Sequence, residues 1–450
     1  MSGVEAIARP TPDLVDELRA WLADNWDPDL TLGEWWHRLG TSGWAAPMLP
    51  ADCYGRGLSR GDALVVAATI TGFGALGAPF GMSIGLAAPT ITTHGTREQI
   101  DRLIPPAVAG KVSYCQLFSE PGAGSDLAGL TTRAVRDGDV WHVDGQKVWT
   151  SGGQYADMGM LLARTNPEVP KHQGITWFAI EMLQPGVEVR PLKEMTGHAM
   201  FNEVFLTDAE VHDDNRIGDL NTGWSVANTT LLHERSGMGA RASGAGPESA
   251  YLTRIARAGS VAGDLDKRAG DFVRTRRATT VEATVPSTST PTSTPPPSPA
   301  QAHIDLAREF DVLHDPNIRQ RIAHAHTLGT LARLNTERNK AGGAVPGIAN
   351  IGKLLMGHIV RHNRDLGLQI LGPRGMLHSY DDGANAEMAK LAGGSGAVAA
   401  TAQALGAQAL PIYGGTDQIQ KNIVGERVLG LPKEPGDLSS RPFNQLPTNR

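Results

Sequence analysis

The chain is poor in cysteine, with only Cys53 and Cys115 in 450 residues. Two thiols cannot build a disulfide framework or a cysteine-rich zinc site, and they fit a reducing, cytoplasmic setting. Positive charge is also scarce: 41 Lys and Arg stand against 47 Asp and Glu, a net charge of −6. No basic run or strongly basic segment appears, so electrostatics offers no reason to expect nucleic acid. The opening MSGVEAIARP is followed by acidic residues and has no apolar core of the kind a signal peptide needs. One stretch, 63–93, carries no Asp, Glu, Lys or Arg and is long enough to raise a membrane span. Gly72, Gly74, Gly77, Pro79, Gly81 and Gly85 punctuate it, so two Ala-rich helices buried between neighbours are expected instead.

Several chemical signatures are missing too. There is no G-x-S-x-G elbow and no P-loop. Gly122-Ala-Gly124-Ser-Asp-Leu127 begins like a dinucleotide fingerprint but breaks at Leu127, and no βαβ pattern surrounds it. His324 and His326 are two apart, which does not place them on one helix face, so no metal site is expected.

What is present has a clear order. At this length two or three domains are expected. Asp13–Leu22 and Leu32–Leu39 carry apolar residues at three-to-four spacing, and Ser59-Arg-Gly-Asp62 can start a further helix. After Tyr114 the period changes to two. Strands are predicted at Thr131–Val135, Val140–Val143, Gln146–Thr150, Gly159–Arg164, Gly174–Met182, Gly186–Pro191 and Glu203–Leu206, with Asp137-Gly138-Asp139 and Asp144-Gly145 as turns. This block reads as a barrel or small sandwich ending near Gly218. Helical periodicity returns at Trp224. The fold class is therefore α+β, with a β module between two α layers: residues 1–112, 113–220 and 221–450.

Two stretches in the last block resemble insertions. Residues 284–299 are Ser, Thr or Pro except for Val285, the centre of a polar insert over 279–301 that cannot bury enough apolar surface to order itself. Ala392–Ala409 is rich in Ala and Gly and reads as a poor helix or a loop.

Four ordered segments then carry a specific resemblance. Tyr114-Cys-Gln-Leu-Phe-Ser-Glu-Pro-Gly-Ala-Gly-Ser-Asp126 is followed by Asp144-Gly-Gln-Lys-Val-Trp-Thr-Ser-Gly-Gly153. Downstream come Gln369-Ile-Leu-Gly372 and Ile412-Tyr-Gly-Gly-Thr-Asp-Gln-Ile-Gln420, ending in Gly425-Glu-Arg-Val-Leu-Gly430. Together they resemble the acyl-CoA dehydrogenase family, over most of the chain from Trp35-Trp36 to Pro435. The resemblance implies an N-terminal helical domain, a middle β-barrel and a C-terminal four-helix domain. It also implies FAD, an oxidoreductase of lipid metabolism such as fatty acid β-oxidation, and desaturation of an acyl-CoA thioester between its α and β carbons.

Residue by residue, the resemblance places Gln116, Phe118 and Ser119 on one flavin-lining strand and Trp149 and Ser151 on another. Ser125 matches a position beside the acyl-CoA pantetheine. Gln369, Gly372, Thr416 and Gln418 match contacts to the FAD pyrophosphate or adenine, partly from a neighbouring subunit. A homodimer or tetramer is implied, with an electron-transfer flavoprotein or similar acceptor. Many members carry a glutamate base just after the Tyr of a Tyr-Glu-Gly-Thr segment, and here that position is Gly414. Other members place the base on an early helix of the last domain, just before an arginine. Leu231-Leu-His-Glu-Arg235 fits that pattern, which makes Glu234 the candidate base, Arg235 a substrate contact and Gly414 a backbone N–H donor to the thioester carbonyl. The family's Arg-x-x-Phe-Gly segment is blurred into Ala307-Arg-Glu-Phe-Asp, with Arg308 in about the right place. Gly414 also leaves open a non-catalytic flavoprotein subunit pairing with an active paralogue, and the fold leaves open an oxidase or monooxygenase.

Overall fold

A computed structural model of the chain describes residues 12–197, 199–241, 264–273, 298–340, 346–380, 384–433 and 440–447. The core of the polar insert lies outside the described residues.

Five helices come first: α1 Pro12–Asn25, α2 Leu32–Thr41, α3 Arg60–Phe73, α4 Ala88–His94 and α5 Arg97–Val108. Local chemistry starts them. Thr31 with Glu34 and Thr96 with Gln99 form reciprocal capping boxes, and Ser59 caps α3. The charge-free stretch breaks after Phe73, passes through a π-helical turn at Ser83–Ala87 and ends in α4. Among the described residues no helix is long and apolar enough to cross a membrane. The expectation of two buried helices holds for α4, where Ala88 and Ile91 are sealed. It fails for α3, which buries only Val66 and Ile70 and leaves Leu64 62% exposed.

Eight strands follow: β1 Tyr114–Leu117, β2 Arg133–Asp137, β3 Val140–Lys147, β4 Met158–Arg164, β5 Ile175–Glu181, β6 Val187–Leu192, β7 Phe201–His212 and β8 Arg216–Ile217. Their order is β6-β7-β3-β2-β4-β5-β8, with β1 paired in parallel to β4. The link between β2 and β4 is one residue pair, Arg133 with Arg164. The sheet therefore curls over a shared core of Leu117, Trp141, Val143, Leu161, Phe178, Val204 and Leu206.

One predicted turn is corrected. Asp144-Gly145 does not reverse the chain: β3 runs on through it, with its register against β7 shifting between Val143 and Gly145. This is a bulge, in which one extra residue is accommodated without ending the strand. Glycine is required there because a Cβ at 145 would sit 2.3 Å from Thr132 Oγ1.

The last block holds α6 Gly223–Arg241, α7 Gln301–Glu309, α8 Pro316–Lys340, α9 Ile348–Leu371, α10 Asn385–Ala392, α11 Ser395–Gly406 and α12 Asp417–Ile423. The second suspected insertion is largely α11. Its Ala397, Thr401 and Ala404 are buried, and the helix packs against α9. Small side chains there serve close helix packing. One apolar cluster joins Ile91, Ile104, Tyr114, Phe118, Met160, Trp177 and Val226, so α4, α5, β1, β4, β5 and α6 share a core.

Candidate active site

Alternation along β1 decides which side chains face where. Cys115 and Leu117 enter the core inside the sheet, while Tyr114 and Phe118 enter the cluster beneath the helices. Gln116, between them, faces α6. On that helix Val226, Ala227, Thr230, Leu231 and Glu234 recur at three-to-four spacing, the first three buried and Leu231 packed on the same core. The two patterns converge, and Gln116 Nε2 donates to Glu234 Oε2 at 3.3 Å. The Arg235 side chain lies outside the described residues.

The two flavin-lining segments implied by the sequence are neighbours. Val148 N–H donates to Ser119 C=O at 2.9 Å. Thr150 exchanges backbone hydrogen bonds with Asn202 at 3.0 and 2.9 Å, and Asn202 Nδ2 donates a further one to Thr150 C=O. Gly152 N–H donates to Met200 C=O. Trp149, gripped between these bonds, has φ of 61° and an indole 60% exposed, edge-on to Phe201 at 6.0 Å. A bulky residue at positive φ is costly backbone that persists only where the surroundings impose it, and such residues gather at functional sites. Ser151, half-buried, follows directly.

Sequence reasoning missed what lies beneath these segments. Lys147 is fully buried, and its Nζ donates to Phe118 C=O at 3.1 Å and to Glu120 Oε1 at 2.8 Å. Glu120 also accepts from Thr131 N–H at 2.7 Å, Thr131 Oγ1 at 2.8 Å and Thr132 N–H at 2.9 Å. Burial pushes the Glu120 carboxyl pKa up, but Lys147 and the threonine donors outweigh it and hold it at about 2. Burial lowers the Lys147 pKa while Glu120 raises it. With so many donors fixed on the carboxylate, the ionised pair is the stable form. Both residues stand inside the quoted motifs, a carboxylate and an ammonium each adjacent to a flavin-lining segment. That juxtaposition was the available signal.

The C-terminal candidates form a second group. Gly414 has φ of 64° and Gly415 of 86°, left-handed backbone that a side chain would strain. Gln420 Nε2 donates to Gly414 C=O at 3.1 Å and is itself held by Asn350 at 2.6 Å. Thr416 caps α12 by accepting from Ile419 N–H, and Gln418 is exposed two residues on. Asp417 pairs with Arg361 at 2.9 Å. Gln369 is exposed and accepts from Arg321 at 2.5 Å, and Gly372 ends α9 at φ 55°, ψ −135°. Arg361 and Gln369 are eight residues apart on α9, about 12 Å. Within one chain, then, Gln369 sits well along the helix from the 414–418 loop. α9 packs on both α6 and α12, and so connects the two groups. Ser125 is exposed on the loop after β1, and Arg308 is exposed and paired with Asp305 at 3.3 Å. Among the described residues no cluster of metal-ligating side chains occurs.

The chain thus sets a curled β module between two helical layers, with an exposed indole beside a strand of polar and backbone groups. Family models agree across the chain. The acyl-CoA dehydrogenase N-terminal domain matches residues 5–111, the middle domain 115–209 and the C-terminal domain 301–429. Among relatives, acyl-CoA dehydrogenase IpdE1 of Mycobacterium tuberculosis is 31% identical over 93% of this chain and 97% of its own length. Acyl-CoA dehydrogenase FadE34 of the same organism is 48% identical over 44% of this chain, which spans only 28% of that protein. The solved Tcur3481-Tcur3483 steroid ACAD superposes with a TM-score of 0.63 at 25% identity, covering 94% of this chain and 97% of that one. The chain belongs to the acyl-CoA dehydrogenase family and is an enzyme with FAD as cofactor.

The residues present fit that cofactor. The Trp149 face can carry an isoalloxazine. Thr150 Oγ1 and Asn202 Oδ1, in the same segment, are buried without a hydrogen-bond partner among the described residues, as polar groups awaiting a ligand would be.

Proposed function

We propose that the chain desaturates an acyl-CoA thioester between the α and β carbons, with Glu234 as the general base. The observation that carries this is the contact between Glu234 and Gln116, which sets a carboxylate from α6 against the flavin strand. Bound FAD supplies the acceptor for the hydride that leaves the β carbon. Gln116, Phe118, Ser119, Trp149 and Ser151 hold and orient the ring, and Gln369, Gly372, Thr416 and Gln418 hold the nucleotide end, in part across a subunit boundary. Glu234 removes the α proton. The Gly414 N–H donates to the thioester carbonyl as enolate charge builds, a form of stabilisation suited to a backbone amide. Ser125 lies along the pantetheine, and Arg235 contacts substrate from the same helix as the base.

The acyl group is bulky. The absence of side chains at 414 and 415 supports room for a branched, long or polycyclic chain, and the steroid ACAD resemblance favours the polycyclic case. Electrons pass on to an electron-transfer flavoprotein or similar acceptor. That neighbour's name joins two components, which together with Gly414 supports a heteromer with a paralogue as the second reading. Anaerobic mixing of the yellow protein with a panel of acyl-CoAs tests the function. Bleaching by bulky acyl-CoAs ahead of short straight ones is expected, and flavin that stays oxidised with every member refutes it.

A further inference from the structure

Beyond the part of the chain matched by the family, residues 440–447 return to the β module. Pro442 bridges Pro170, Phe443 N–H donates to Val169 C=O at 2.9 Å, and Asn444 N–H donates to Pro167 C=O at 2.9 Å. This seats the Phe443 ring over the Arg164 guanidinium, 3.6 Å from its carbon. Arg164 is 4% exposed and spends its donors on backbone carbonyls: Ala128 at 2.7 Å, Leu130 at 3.2 Å and Lys171 at 2.8 Å. The first two close the loop that carries Ser125. The third holds the residue whose ammonium reaches both Asp126 carboxylate oxygens at 2.7 Å. In the same stretch His172 meets Trp224 at the start of α6, the helix of Glu234, with ring centroids 4.8 Å apart.

One guanidinium thus ties Ala128, Leu130 and Lys171 together, and the Phe443 ring covers its face. Arginine under an aromatic face is held by cation–π attraction, which strengthens as water is excluded. We propose that Phe443 is a positioning residue for acyl-CoA: by covering Arg164 it fixes the 125–130 loop against which the thioester's pantetheine lies. The inference rests on the placement of Ser125 given above.

The test compares Phe443→Ala and Phe443→Tyr with the parent holoenzyme in two measurements, hydrogen exchange over residues 122–132 and the kinetics of acyl-CoA oxidation. In Phe443→Ala the loop amides of Gly129 and Leu130 should exchange faster. KM should rise about tenfold, equivalent to about 1.4 kcal/mol of binding, while kcat and FAD content stay near parent values. Phe443→Tyr, which keeps the ring, should restore both. Exchange at the parent rate overturns the proposal, and so does faster exchange with KM unchanged. A parent enzyme whose flavin no acyl-CoA reduces would instead refute the function above, and the exchange data would still decide whether the ring fixes the loop.

Discussion

Replacing Lys147 by methionine removes the ammonium and keeps most of the side chain's volume. Glu120 then stays buried with the Thr131 and Thr132 donors but without its countercharge. Breaking a buried pair from one side typically costs about 3–5 kcal/mol. The three surviving hydrogen bonds place this site at the low end, about 3 kcal/mol. At about 2–4 °C per kcal/mol for a cooperative unit of 150–250 residues, the melting temperature should fall by about 6–12 °C. The loss should also reach the cofactor, because Lys147 Nζ holds Phe118 C=O and the next two residues are Val148 and Trp149. A thermal ramp that follows flavin fluorescence reads both effects at once. The pH dependence has a definite sign. Glu120 is held at about 2 in the folded chain, below its ordinary value of 4.5. Its contribution is complete above about pH 4.5 and is lost as pH falls toward 2. In Lys147→Met that contribution shrinks, so the gap in melting temperature between parent and variant should narrow in acid. A variant that melts within about 1 °C of the parent at pH 7 would refute the reasoning.

Two further outcomes are expected. Deleting residues 284–297, which keeps the buried Ala300 and the start of α7, should leave flavin content nearly unchanged, since closure entropy grows slowly with loop length and the composition is that of solvated chain. Loss of folded, yellow protein on deletion would show that the segment packs against the rest. Gly414→Ala keeps the N–H but forces alanine to a φ of 64°, at a cost of about 1 kcal/mol. Flavin reduction should slow by less than about tenfold, and a much larger loss would show that substrate occupies the space above residue 414.

Much of this architecture was legible because local signals agreed with the tertiary arrangement. Ser59 marked a helix start, and the change of period at Tyr114 marked the β module. Asp144-Gly145 misled because the same dipeptide serves a turn or a bulge, and only the β7 partner decides between them. β7 runs on to His212, well past the alternation visible in its sequence, for a related reason: its ladder with β3 fixes its length. Ala392–Ala409 reads as a poor helix or a loop until its packing against α9 gives its small side chains a purpose. The Glu120–Lys147 pair and the seat of Phe443 on Arg164 depend on burial and on contacts far apart in sequence, which composition and periodicity do not record.

The central claim, that α6 supplies the base, is tested most directly by stopped-flow anaerobic flavin reduction in Glu234→Gln. Positioned proton transfer contributes about 10²–10⁴-fold. The variant should therefore retain FAD and bind acyl-CoA, yet reduce its flavin slower than the parent by at least that order. Reduction at the parent rate would contradict the account and move the base to another carboxylate or to a partner chain.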